Sequence, residues 1–297
     1  MSLFELNEVL KAMKKLGFKG GRILEPSMGV GNFFGTMPRD MMDKSALRGV
    51  ELDNLTSRFA KMLYPSAFVE NKGFQKANVA DDYFDLAISN IPFGQNMING
   101  YQVHNYFFAN GIDKVRPGGL MVYITSQGSL AGGKDAAKMR NYMENHADLI
   151  AAYKLPSGVF SDAGTQVATD IVIFRKRDKD GKKSPYGQKF GDVKEVKTGQ
   201  GYSAPSYGIN EYFVAHKENI LGEQSTGRDQ WGNTALNVKM AEGTTVVDVA
   251  NDLSKAMQKL PTDVYQPMNR SKSKVYNPIE AAKRAATYYG NLRDYEY

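Results

Sequence analysis

Residues 22–35 read Arg22-Ile23-Leu24-Glu25-Pro26-Ser27-Met28-Gly29-Val30-Gly31-Asn32-Phe33-Phe34-Gly35: a short apolar run, a turn with two glycines, then the start of a helix. Upstream, Phe4, Leu6, Val9, Leu10, Met13 and Leu16 recur at helical spacing until Gly20 and Gly21 stop the pattern. Downstream, strand-like segments at 47–52, 67–69, 84–89 and 120–125 alternate with helical stretches at 54–63 and 104–115. A further helix near 138–146 precedes two more strands, 149–154 and 169–175, which are expected to pair antiparallel at a sheet edge. This alternation predicts an α/β chain with a doubly wound, mainly parallel sheet.

The glycine turn is built for close approach of a ligand to the backbone. A dinucleotide fingerprint wants a third glycine where this chain has Phe34, and Glu25 at the mouth disfavours a phosphate. S-adenosylmethionine, with a cationic methionine end and no phosphate, suits an acidic neighbour better; a strand-to-helix turn with no ligand is the alternative for this segment alone. Strand two ends in Glu51-Leu52-Asp53, about 20 residues on, the spacing at which a carboxylate accepts from ribose hydroxyls. Glu51 is the candidate, against a solvated carboxylate at a strand end.

Composition narrows the chemistry. The chain has 297 residues, 42% hydrophobic and 24% charged, which is ordinary for a globular protein and excludes wholesale disorder. It holds no cysteine and 3 scattered histidines, His104, His146 and His216, so disulfides, thiolate chemistry and a histidine metal cluster are not expected. No apolar run long enough for a membrane span and no signal-peptide pattern occur, and a cytoplasmic location is expected. The net charge of +6 is compatible with a polyanionic partner.

Strand four delivers Asn90-Ile91-Pro92-Phe93-Gly94 at its C-terminal end, where open parallel sheets bind ligands. Here the sequence resembles the amino-methyltransferases, whose motif is Asn or Asp, Pro, Pro, then Tyr or Phe. Residues 24–35 and 90–94 together resemble the methyltransferase segment of large bacterial, phage and mobile-element proteins that join an N6-adenine DNA methylase to a helicase. The likeness continues through 114–119, Leu155-Pro156 to Phe160, Gly164-Thr165, Thr169-Asp170-Ile171, 210–213 and 260–265, and so covers most of the chain.

This resemblance implies a Rossmann-like class I S-adenosylmethionine-dependent methyltransferase that methylates the N6 amine of a flipped adenine in DNA. Asn90 and the Ile91 carbonyl are the implied acceptors for the amine, held by Pro92, with Phe93 stacked on the base. Glu25, Pro26, Ser27, Gly29, Gly31, Asn32, Phe33, Glu51 and Leu52 are the implied cofactor residues. Ile91 replaces the commoner proline, but Pro92 still biases it toward extended backbone. Gln75 stands where related enzymes place an acid after strand three, which leaves Gly73 and Phe74 for the cofactor's adenine. Phe160 occupies the position of a second base-stacking aromatic, or else covers the core.

Larger relatives carry a Tyr-Thr-containing segment before the first helix, so the chain is expected to be a piece of a longer polypeptide, with a helicase region as a possible neighbour and reduced cofactor affinity. The expected domains are a catalytic unit at 1–177, a basic linker at 178–208, a small α/β extension at 209–265 and a polar tail with a short helix at 266–297. The basic run from Arg175 to Lys197 reads as a solvated loop before a DNA contact. Two other functions stay open: the same fold acting on RNA or a protein glutamine, and a catalytically idle DNA-binding domain of a larger helicase-like protein.

Overall fold

The computed structural model describes residues 3–94, 96–158, 168–197, 206–228 and 234–268. Residues 1–266 make one compact unit, and residues 267–297 a second, of which 267–268 are described.

Helix α1 (Leu3–Lys15) leads into β1 (Arg22–Glu25), followed by the short helices α2 (Asn32–Thr36) and α3 (Arg39–Met42). Then come β2 (Ala46–Glu51), α4 (Asn54–Leu63), β3 (Phe68–Asn71), β4 (Phe84–Asn90), the small pair β5 (Met97–Ile98) and β6 (Tyr101–Gln102), and α5 (Val103–Lys114). Strand β7 (Val115–Ser126), α6 (Gly128–Ala131), α7 (Lys134–His146), β8 (Ala147–Leu155) and β9 (Thr169–Lys176) complete the sheet region. Beyond it lie β10 (Val193–Lys197), β11 (Ser206–Asn210), α8 (Glu211–Ala215), β12 (Glu223–Arg228), β13 (Thr234–Lys239) and α9 (Val246–Met257).

Seven strands form one sheet in the order β3-β2-β1-β4-β7-β9-β8. The first five run parallel, and β9 is antiparallel to both β7 and β8. The expected antiparallel pair therefore sits at the sheet edge, with β8 outermost and the reversed β9 inserted beside β7.

Side-chain alternation along each central strand sends residues to two apolar clusters, one per face. Ile23, Leu86, Ile88, Val122 and Ile124 join α1 and α9 on one face; Leu24, Ala87, Met121 and Tyr123 join α5 and α7 on the other. Helix α9 starts at a capping box in which Thr245 and Asp248 satisfy each other's free amides.

At the N-terminal ends of the strands, away from the site, Asp85 gathers a buried polar cluster. It accepts from the Arg22 amide at 2.8 Å, Arg22 Nε at 3.1 Å, Arg116 Nε at 2.6 Å and the Tyr265 hydroxyl at 3.1 Å. Residues 264–266 are thereby strapped beneath β1, β4 and β7.

The start of the expected basic loop is a correction. Arg175 is 3% exposed and donates to the Val264 carbonyl, Lys176 pairs with Asp82 at 2.6 Å, and Arg177 pairs with Asp148 at 2.7 Å. Lys176 and Arg177 are matched by carboxylates distant in sequence and Arg175 by Asp178 three residues on, so these three residues extend β9 and its exit instead of opening a solvated loop. Among the described residues no helix is long and apolar enough to cross a membrane, and no cluster of three metal-ligating side chains occurs.

Candidate functional site

The site lies where β1, β2 and β4 end side by side, the crevice that an open α/β sheet leaves at its carboxyl edge. After β1 the chain turns back, with the Met28 amide donating to the Val50 carbonyl at 3.0 Å and the Gly31 amide to the Met28 carbonyl at 2.8 Å. The Gly29 amide donates to Oε2 of Glu51 at 2.8 Å, and the Asp53 amide donates to Oε1 of the same side chain at 2.8 Å. Glu51 thus ties the glycine turn to the end of β2. A carboxylate has about four lone-pair directions, so acceptor capacity remains for a hydroxyl pair.

The two glycines do different work. Gly29 has φ 54°, and a Cβ there would meet no heavy atom within 4 Å, so its backbone faces open space. Gly31 has φ 84°, and a Cβ would stand 2.5 Å from the Tyr64 ring, which packs edge-on against Phe34. The first leaves room for a ligand; the second leaves room for an aromatic side chain.

Glu25 is 2% exposed, and its Oε2 has no hydrogen-bond partner among the described residues. Burial, and then the nearby Glu51 charge, raise its pKa well above the usual carboxylate range. A cationic group arriving beside the turn open at Gly29 would favour the ionised form of this carboxyl, and the carboxylate would then stabilise it. These features fit the methionine end and ribose of S-adenosylmethionine.

The second half of the site is the end of β4. Ser89, fully buried, donates through Oγ to the Ser27 carbonyl at 3.1 Å, fastening β4 to the glycine turn. The next residue, Asn90, ends β4 with an exposed side chain that no described residue hydrogen-bonds. Ile91 is anchored by its amide to the Ile124 carbonyl at 3.1 Å and by its 2% exposed side chain. Pro92 and Phe93 follow, half-buried.

Phe93 and Gly94 border a cavity of about 800 Å³ whose wall also includes Ser126, Gln127, Lys154 and Asn210. Lys154 pairs with Asp170 at 2.6 Å, both side chains buried, and its ammonium lies 4.7 Å from the Phe213 ring centre. His104, 8% exposed on the same wall, has its pKa lowered chiefly by burial, so the imidazole is neutral at pH 7. Asn210 is held by its own structure: its amide donates to the Leu130 and Phe190 carbonyls while its oxygen caps α8.

The remaining expected residues fall in several places. Pro26 is buried, Ser27 half-buried and Asn32 exposed at the start of α2. Phe33 is 1% exposed in the core, and Leu52 is 74% exposed beyond β2. Gly73 follows β3, and Phe74 is buried with its ring 5.2 Å from that of Phe107. Phe160 lies outside the described residues. Sequence reading missed Ser126, Gln127, His104 and the Lys154–Asp170 pair. The one signal available was Lys154 directly before Leu155-Pro156; its partner becomes visible only once β8 and β9 are paired in register, Lys154 opposite Asp170.

No family model matches the chain. A protein described as a class I S-adenosylmethionine-dependent methyltransferase from Listeria monocytogenes superposes with a TM-score of 0.52 at 21% identity, over 61% of this chain and 62% of that one. The chain has the class I methyltransferase fold. A structure described as the modification subunit of a type I restriction enzyme from Vibrio vulnificus is similar, with a TM-score of 0.51 at 16% identity over 80% of this chain and 58% of that one. At these identities the likeness is one of fold. In sequence, the chain is 30% identical over 179 residues to the phage P1 protein "Defense against restriction protein B". That match takes in 57% of this chain and spans 8% of the phage protein.

Proposed function

We propose that this chain transfers a methyl group from S-adenosylmethionine to the exocyclic N6 amine of adenine in DNA, with the base turned out of the stack. The observation that carries the reading is the Ser89–Ser27 hydrogen bond, because it ties the strand that ends in Asn90 to the glycine turn, which Glu51 holds from its other side. The Asn-Ile-Pro-Phe motif, the 24–35 motif, the name of the phage relative and the fold shared with a modification subunit favour DNA as the acceptor. A helicase region elsewhere in a longer polypeptide belongs to the same proposal.

Glu25 would hold the cationic methionine end, the open Gly29 backbone would lie against the cofactor, and Glu51 would accept from the ribose hydroxyls. Leu52, Gly73 and Phe74 would flank the adenine of the cofactor. Bound S-adenosylmethionine supplies a methyl group made electrophilic by its sulfonium.

The protein's task is then to position a weak nucleophile. The adenine amine is weak because its lone pair delocalises into the ring. The Asn90 side-chain oxygen and the Ile91 carbonyl accept its two hydrogens, which favours a pyramidal nitrogen with the lone pair free. Pro92 keeps Ile91 extended, so the carbonyl is aimed at the amine. Phe93 stacks on the base and fixes its plane, and the cavity beyond Phe93 receives the flipped nucleotide.

The test is incubation of the chain with methyl-labelled S-adenosylmethionine and, separately, DNA, RNA and protein. Label in DNA alone is expected. Label in RNA or protein transfers the assignment to another acceptor, and no label in any arm, with no cofactor bound, leaves an idle domain.

A further inference from the structure

Helix α4 is amphipathic with its polarity reversed. The side it turns to the sheet carries Ser57 and Ala60, both buried. Leu55, Phe59, Met62 and Leu63 face outward with exposures of 58%, 50%, 77% and 60%. The spacing of 55, 59 and 62 makes a continuous apolar stripe along one helix face. Scattered apolar residues on a surface need no account, but a stripe on one helix is the geometry that receives another helix.

The charge beside the stripe says what kind of helix. Arg58 and Lys61 lie along one side, both exposed, and neither makes a hydrogen bond or ion pair among the described residues. The carboxylate that caps α4, Asp53, is spent on the Thr56 amide at 2.8 Å, and Glu51 before it on the Gly29 and Asp53 amides. A second copy docked face to face would bring the same uncompensated cations to the rim. A partner with carboxylates beside its own apolar face would neutralise them while burying the stripe.

We propose that the outer face of α4 is a docking surface for an amphipathic helix of a partner protein, apolar on one side and acidic along the flank of that side. The face begins one turn after Glu51, on the outer side of the element that follows β2, so a partner there would leave the cavity beside Phe93 free.

Two synthetic helical peptides of about 18 residues test this, each with leucines at i, i+3, i+4 and i+7, one with glutamates and one with lysines beside the stripe. Fluorescence anisotropy against the full chain should show the acidic peptide binding at least about tenfold tighter than the basic one. The double variant Arg58→Glu/Lys61→Glu should reverse that preference, and the triple variant Leu55→Ser/Phe59→Ser/Met62→Ser should abolish binding. Since all five positions are exposed, circular dichroism melts should match wild type. Equal binding of both peptides, binding that survives the triple variant, or no binding would overturn the proposal. So would a dimer in sedimentation that Phe59→Ser dissolves, because the face would then belong to a second copy.

Discussion

The Asn90 side chain stands at the end of β4 with no hydrogen-bond partner among the described residues, so removing it should cost the reaction without costing the fold. Asn90→Ala is expected to lower methyl transfer by roughly 10²-fold or more, as for loss of an oriented donor or acceptor in a transition state, with an unchanged melting temperature; near wild-type turnover would remove Asn90 from the mechanism. Glu51 differs, because it is already bonded to the Gly29 and Asp53 amides. Glu51→Ala should weaken S-adenosylhomocysteine by about 1 to 3 kcal/mol in calorimetry. It should also loosen the turn itself, seen as faster amide exchange at Gly29. Glu25 gives a pH signature. Burial and then Glu51 raise its folded pKa, so above the ordinary glutamate range the folded chain keeps a proton that the unfolded chain has released. The stability this group contributes is complete below the unfolded pKa and is lost as pH rises toward the folded value. Melting curves of wild type and Glu25→Gln from about pH 5 to about pH 8 should show wild type losing ground as pH increases; parallel curves would mean the carboxyl is not held neutral.

At the scale of elements, the glycine turn separates folding from binding. Gly29→Ala places a methyl group in open space at φ 54° and should cost about 1 kcal/mol of stability from left-handed backbone. It should also cost about tenfold or more in cofactor affinity. Gly31→Ala drives a Cβ to within 2.5 Å of the Tyr64 ring and should cost about 2 to 4 kcal/mol of stability. Denaturation and calorimetry on both variants should therefore rank them in opposite orders. The parallel strands were legible because buried central strands read as apolar runs, as in 120–125, and because Gly20-Gly21 and the 25–31 turn punctuate them. Strand β10, Val-Lys-Glu-Val-Lys, was not legible: it is mostly exposed and, among the described residues, pairs antiparallel with β11 alone. The outward apolar face of α4 has the periodicity of a buried one, and nothing in the local pattern says which side meets the sheet. In the site, Asn90 to Phe93 and Glu51 were legible because they are contiguous or regularly spaced. Lys154 and Asp170 were not, since a cross-strand pair exists only in register.

Over the whole molecule, Asp85 joins the start of the sheet to the segment at 264–266. It is 1% exposed and takes hydrogen bonds from Arg22, Arg116 and Tyr265. Burial alone would raise its pKa, but the donors from Arg22 and Arg116 outweigh it and hold the carboxyl below the usual range. Its contribution is therefore present at neutral pH and lost as pH falls through that lowered value. Asp85→Ala should cost about 3 to 5 kcal/mol in denaturant unfolding, because Arg116 is left buried without its carboxylate; a loss under about 1 kcal/mol would mean the strap is incidental. The site stands at the opposite end of the sheet, so the variant should bind cofactor normally when folded. The central claim, that this fold carries an adenine N6 methyl transfer, is tested most directly by nucleoside mass spectrometry of DNA incubated with the chain and trideuteromethyl S-adenosylmethionine. The expected result is deuterated N6-methyl-deoxyadenosine from the wild type and its loss in Asn90→Ala. Deuterium on cytosine, on no nucleoside, or equally on adenine in the variant would contradict the account.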